Sequence, residues 1–170
     1  MLVFDDKNYY VANSGDSRAA LSRNGTLVIL SEDHKPESST EKERIEKAGG
    51  VIMNGRVNGG LNLTRALGDF DYKSTPNIPY HEQMITCHPD VRVVPRDPAD
   101  EFVIMGCDGI WERYVNNSQH MIDYLVMQRN MQIDSRIMVE NMLKGMLAKC
   151  TSEEIGCDNM STILIEFVRS

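Results

Sequence analysis

Three aspartates stand where a carboxylate can do chemistry: Asp16 in Asn13-Ser14-Gly15-Asp16-Ser17-Arg18, Asp108 in Cys107-Asp108-Gly109-Ile110-Trp111, and Asp158 in Cys157-Asp158-Asn159-Met160-Ser161. Each lies beside a run with strand character and has small or polar neighbours. Carboxylates brought together at one end of a sheet or sandwich repel strongly at low effective dielectric, so such a group is stable only with cations or shared protons. All-oxygen ligation suits magnesium or manganese, which keep several of their waters. The competing reading is that each aspartate only caps a turn, since Asp-Gly is a common turn signal.

The elements that must hold these residues can be read from the pattern around them. Glu101 to Trp111 is a nearly unbroken apolar run ending on Asp108-Gly109, which predicts a strand covered on both faces with a carboxylate at its rigid end. Gly109 allows a sharp turn there and a close approach to the backbone. At the start, Tyr9–Asn13, Ala19–Arg23 and Thr26–Leu30 read as strands, and Asn24-Gly25 closes a hairpin, so an antiparallel meander is expected. Thr40-Glu41-Lys42-Glu43 reads as a capping box opening a short helix that ends at Gly49-Gly50, with Ile45 and Ala48 facing inward. Asn54-Gly55 marks a second small hairpin after Val51-Ile52-Met53, and Ser74 to Asp90, with Pro76, Pro79 and Pro89, reads as loop. Gly68-Asp69-Phe70 is not the Asp-Phe-Gly of a kinase, and no phosphate-cradling glycine loop precedes it. Asn117 or Ser118 can cap a helix to about Met127, and Asp134 or Ser135 a longer one to about Lys149. Met138, Met142 and Met146 recur every four residues on that helix, a face expected to pack on a sheet. The chain closes with a strand from Ser161 to Val168.

Composition narrows the function classes. The 170 residues are 41% hydrophobic, enough for a real core, and the net charge of −7 comes without Lys or Arg tracts. Nucleic acid and anionic membrane are therefore not expected partners, whereas divalent cations are. No apolar stretch reaches the length of a membrane span, and Met1 to Asp6 lacks the features of a secretion signal, so a cytoplasmic or nuclear location is expected. Cys87, Cys107, Cys150 and Cys157 form no Cys-x-x-Cys pair, which favours thiols in a reducing compartment over disulfides or zinc.

Seven stretches, in order, carry a specific resemblance: Val11 to Arg18, Asp33-His34-Lys35-Pro36, Glu43-Arg44-Ile45 before Gly49-Gly50, Arg56-Val57-Asn58-Gly59, Thr64-Arg65-Ala66-Leu67-Gly68-Asp69, Cys107 to Trp111, and Cys157 to Ser161. Together they resemble the metal-dependent protein serine/threonine phosphatases of type 2C. The resemblance implies an α+β fold, an antiparallel β-sandwich of two sheets packed face to face and flanked by α-helices. It implies that Asp108 and Asp158 are ligands of a manganese or magnesium pair, with Asp16 at a weaker third ion. The implied reaction is hydrolysis of phosphoserine and phosphothreonine in phosphoprotein substrates by a water activated on that pair, which needs no nucleophilic side chain. Residues from about 33 to 58 would correspond to the family's flap beside the cleft.

The departures are equally specific. The family's Asp-Gly-His motif, with its bridging carboxylate, occurs nowhere in these residues, nor does the family's upstream phosphate-binding arginine. His34, His81, His88 and His120 do not replace the missing histidine by motif and are expected in loops or at the surface. Glu112 stands where the family usually has aspartate, and Thr64 where it usually has serine. Residues 1–170 are therefore expected to form a single partial phosphatase domain whose N-terminal strands are missing. Such a fragment is expected to form a homodimer that covers the exposed edges and faces. The alternatives are a non-catalytic binding or regulatory module of the same fold, and an oligomerising β domain whose aspartates only cap turns.

Overall fold

The computed structural model describes residues 1–114, 117–150, 152 and 155–167. Its organising element is the seven-residue strand Asp100–Gly106, covered on both faces as the apolar pattern predicts. Counting in chain order, the strands are β1 (Leu2–Phe4), β2 (Asn8–Asn13), β3 (Arg18–Arg23), β4 (Thr26–Ile29), β5 (Ile52–Met53), β6 (Arg56–Val57), β7 (Asp90–Pro95), β8 (Asp100–Gly106) and β9 (Thr162–Glu166). The helices are α1 (Ser39–Lys47), α2 (Asp108–Trp111), α3 (Gln119–Asn130) and α4 (Ser135–Met146).

Two antiparallel sheets form the sandwich, one ordered β1-β2-β7 and the other β4-β3-β8-β9. Period-two alternation sends successive side chains of β3 and β8 to opposite faces. Ala19, Leu21 and Val103 meet Tyr9, Val11 and Val94 of the other sheet in the inner core. Ala20, Phe102 and Ile104 meet Ile122, Leu125, Met138, Met142 and Met146 of the helices on the outer face. The methionine stripe of α4 is thus buried against the sheet as its spacing predicts.

Several local expectations are corrected by tertiary contacts. β2 and β3 are not neighbours in a meander, because the chain crosses from one sheet to the other at residues 14–17, and β2 pairs instead with β1 and β7. The strand β7 carries no clear sequence signal, since Val91 and Val93 are exposed and its pairing is with a distant segment. Helix α1 begins at Ser39, behind a turn in which Ser38 N–H donates to Lys35 O, so Thr40 lies inside the helix and no side chain caps it. Helix α4 stops at Met146, where Arg113 donates to the Met146 carbonyl and Gly156, at a φ of 90°, lies so close that a Cβ would meet that oxygen at 2.4 Å. The Asn24-Gly25 and Asn54-Gly55 hairpins form as read, with all four residues at positive φ. Val168, the expected end of the last strand, lies outside the described residues.

The excursion between the sheets is larger than the sequence suggests. Its small core joins Ile45 and Val57 to Ile85, with Leu61, Tyr72 and Met84 against them, so its packing runs well past residue 58.

Burial fixes what the helix face contributes. Met142→Ala should lower unfolding stability in urea by about 2–4 kcal/mol, whereas Leu147→Ala, at a position 58% exposed, should stay within about 0.5 kcal/mol. Equal midpoints for the two variants would show that the stripe is not core.

Candidate metal centre

Strand β8 delivers the first carboxylate. Its last residue, Gly106, is followed by Cys107, whose N–H donates to Ser161 O at 3.1 Å, and then by Asp108 at the first turn of α2. The turn is held from below by the buried Trp111, whose indole Nε1–H points at Gly106 O (3.1 Å) and Arg18 O (3.2 Å). One helical turn after Asp108 comes Glu112, and a spacing of four places both carboxylates on one side of that turn.

Asp158 arrives on the loop before β9. Its approach depends on Gly109, where a Cβ would fall 2.3 Å from Asn159 O and 3.5 Å from Asp158 Cβ. The close approach predicted for Gly109 is therefore made by the chain itself. Cys107 Sγ adds two ties, donating to Asn159 O (3.3 Å) and accepting from Ser161 N–H (3.2 Å). The outcome is that carboxylate oxygens of Asp108, Glu112 and Asp158 all lie within 4.8 Å of one another. Partial desolvation, then the charges of Asp108 and Asp158, push the Glu112 carboxyl above its ordinary value. Three converging carboxylates offer hard oxygen ligands only, a donor set that suits magnesium or manganese better than zinc, and the Lys35 ammonium is near enough to act against the raised Glu112 value.

Asp16 is placed differently. It is buried in the crossing between β2 and β3, and its Oδ2 accepts from Lys35 Nζ at 2.5 Å. The structure thus brings Asp108 and Asp158 together, adds Glu112, and holds Asp16 on a lysine. Glu112 had a signal in the sequence, its four-residue spacing from Asp108; Lys35 had only its place in Asp33-His34-Lys35-Pro36.

Around Asp16 lies a buried polar network that sequence reasoning missed. Gly15 N–H donates to His34 Nδ1 at 3.1 Å, which leaves His34 Nε2–H to face Asp90 Oδ2 at 3.0 Å, so this histidine is buried and structural rather than a surface one. Asp90 Oδ1 accepts from Arg65 (2.7 Å), which also donates to Glu41 Oε1 (2.6 Å). Glu41 further accepts from Thr64 Oγ1 (2.5 Å) and pairs with Arg44 (2.7 Å). The threonine hydroxyl serves here as a serine hydroxyl would. Burial pushes the Glu41 carboxyl up, but Arg65, Thr64 and Arg44 outweigh it and hold it below its ordinary value.

A depressed carboxyl contributes stability that is present above its unfolded value of 4.5 and lost as pH falls through the folded one. Glu41→Gln should therefore cost about 3 kcal/mol at pH 7 and flatten the acid limb of stability below about pH 4.5. Parallel acid limbs for the two proteins would remove Glu41 from that role.

Comparison with known proteins gives the family and the fold. Residues 1–154 match the family model described as "Protein phosphatase 2C". A "Probable protein phosphatase 2C 60" from Arabidopsis thaliana is 45% identical over 165 residues, covering 97% of this chain and 46% of that protein. A "Probable protein phosphatase 2C 6" from Paramecium tetraurelia is 45% identical over 161 residues, covering 95% and 54%. Among solved structures, a phosphatase from Toxoplasma gondii superposes with a TM-score of 0.82 at 34% identity, over 94% of this chain and 48% of that one. A C. elegans sex determining protein superposes with a TM-score of 0.70 at 28% identity, over 95% and 37%. The chain spans about half the length of the curated relatives it matches.

Proposed function

Because this chain belongs to the protein phosphatase 2C family, we propose that it supplies the Asp108, Asp158 and Asp16 side of a metal-dependent centre that hydrolyses phosphoserine and phosphothreonine in protein substrates. The observation that carries the reading is the convergence of Asp108, Glu112 and Asp158 within 4.8 Å at the end of β8. Two manganese or magnesium ions would be held there, with a weaker third at Asp16. Bound divalent cations lower the pKa of water toward neutrality and neutralise charge on phosphoryl oxygens.

The chain's own part is positioning. β8, paired on both sides, fixes Asp108 and Glu112; the Gly109–Asn159 contact fixes Asp158. None of these residues is a nucleophile or a proton donor to a leaving group. Without an Asp-Gly-His segment, the chain by itself lacks the bridging carboxylate of its family, and misplacing an ion by about 1 Å can cost a hundredfold in rate. No helix among the described residues is long and apolar enough to cross a membrane.

Calorimetric titration with manganese should show weak binding, sub-millimolar at best, that is lost in Asp108→Asn. In the same chain, turnover of a phosphothreonine peptide should be slight or absent. Identical binding curves for the two proteins would remove Asp108 from the site. Robust manganese-dependent turnover, abolished by Asp158→Asn, would show that other residues complete it.

The homodimer is a second part of the proposal. Val3, Tyr10 and Val93 lie in register across β1, β2 and β7, on the face away from the sandwich core, and are exposed by 53%, 38% and 53%. A second copy packing on this face removes apolar area worth roughly 25 cal/mol per Å². Light scattering after size exclusion should report twice the chain mass. A stable monomer at micromolar concentration would show that the face tolerates water.

A further inference from the structure

Asp16 and Lys35 are held opposite one another by a frame that neither side chain makes. Gly15 and His34 are joined twice, Gly15 N–H donating to His34 Nδ1 at 3.1 Å and His34 N–H donating to Gly15 O at 3.0 Å. Asp16 and Lys35 are the next residues after that pair of hydrogen bonds on the two segments of chain. Two residues beyond Asp16, Arg18 clasps Asp33 through two bonds of 2.9 Å, closing the frame from the other end. Lys35 is followed by Pro36 and accepts from Ser38 N–H at 3.1 Å, so its backbone is fixed as well. An exposed lysine gains little from an ion pair because it must give up rotamer freedom. Here both backbones are already in place, and the Asp16 side chain is only 10% exposed while Lys35 keeps 35%.

We propose that the Lys35 ammonium is the resident counter-ion of Asp16, and that a divalent cation reaches this carboxylate only by displacing it. The proposal rests on the metal-centre reading above and goes beyond it. An ammonium offers donors and no acceptor, so Lys35 cannot itself ligate a cation beside Asp16 and can only oppose its charge. A divalent ion on Asp16 and an ammonium 2.5 Å from the same oxygen repel each other, and the long, partly exposed lysine is the partner free to leave. The affinity of the weakest ion is therefore reduced by whatever the Lys35–Asp16 pair is worth. Ion occupancy at Asp16 and release of Lys35 become one linked event.

The test follows free manganese by electron paramagnetic resonance during titration of the chain, of Lys35→Met and of Lys35→Arg. Lys35→Met should tighten the weakest class of bound manganese about tenfold, and Lys35→Arg should stay within about twofold of the parent. Adding Asp16→Asn to Lys35→Met should erase the gain, which a double-mutant cycle reads directly. Bound manganese with equal affinity in the parent and Lys35→Met would overturn this proposal and leave the metal centre standing. A gain that survives Asp16→Asn would also overturn it, because the lysine would then act on the other carboxylates from a distance. No bound manganese in any of these proteins would overturn the metal centre and this proposal together.

Discussion

Mutual repulsion among Asp108, Glu112 and Asp158 is the constraint that the rest of the sandwich answers. Carboxylate pairs at the 4.8 Å limit repel by about 1 kcal/mol in water and about 3.5 kcal/mol at an effective dielectric of 20. Left to themselves, the loops carrying them would spread apart. Asp108 cannot retreat, because it continues a strand paired on both sides and buried on both faces, and a buried Trp111 locks the turn that follows. Asp158 cannot retreat either, because the Asn159 carbonyl is pressed onto a glycine and two contacts of Cys107 hold the same loop. Packing energy collected throughout the core is thus spent at one point, holding like charges together.

The two polar centres of the molecule solve the problem of buried charge in opposite ways. Glu41 is fully enclosed, and its charge is matched by Arg65 and Arg44 with Thr64 supplying a further bond, so the group is complete as it stands. Removing one partner would leave an uncompensated charge in the interior, which makes the network a rigid clamp between the excursion and the main sheets. The Asp108 group is partly exposed, and among the described residues no arginine or lysine forms an ion pair with Asp108, Glu112 or Asp158, although the Lys35 charge reaches Glu112. Asp16 lies between the two cases, because a partly exposed lysine on a fixed frame pairs with it.

The frame also explains the shape of the excursion. Thr64 N–H donates to His34 O, Arg65 reaches Asp90 of β7, and a Cβ at Gly15, whose φ is 130°, would meet Arg65 O at 3.2 Å. The segment from α1 through residue 88 is therefore tied to the same crossing that presents Asp16.

Much of this was legible in the sequence where the signal is local. The apolar run ending on Asp108, the Asn-Gly hairpins, the four-residue methionine repeat and Gly49 after α1 each depend on a short stretch and its immediate solvent exposure, and each formed as read. The seven family-like stretches marked all three aspartates before any fold was known. What sequence could not decide was how separated segments meet. Strand β7 is paired with residues some eighty positions away, Glu41 joins arginines from two elements, and Lys35 finds Asp16 only because Gly15 and His34 fold onto each other. Local propensity carries no record of such pairs, since their energy exists only once distant backbones are in contact. The identities of the carboxylates were determined by the sequence; which of them converge, and which is held by a lysine, was decided by tertiary packing alone.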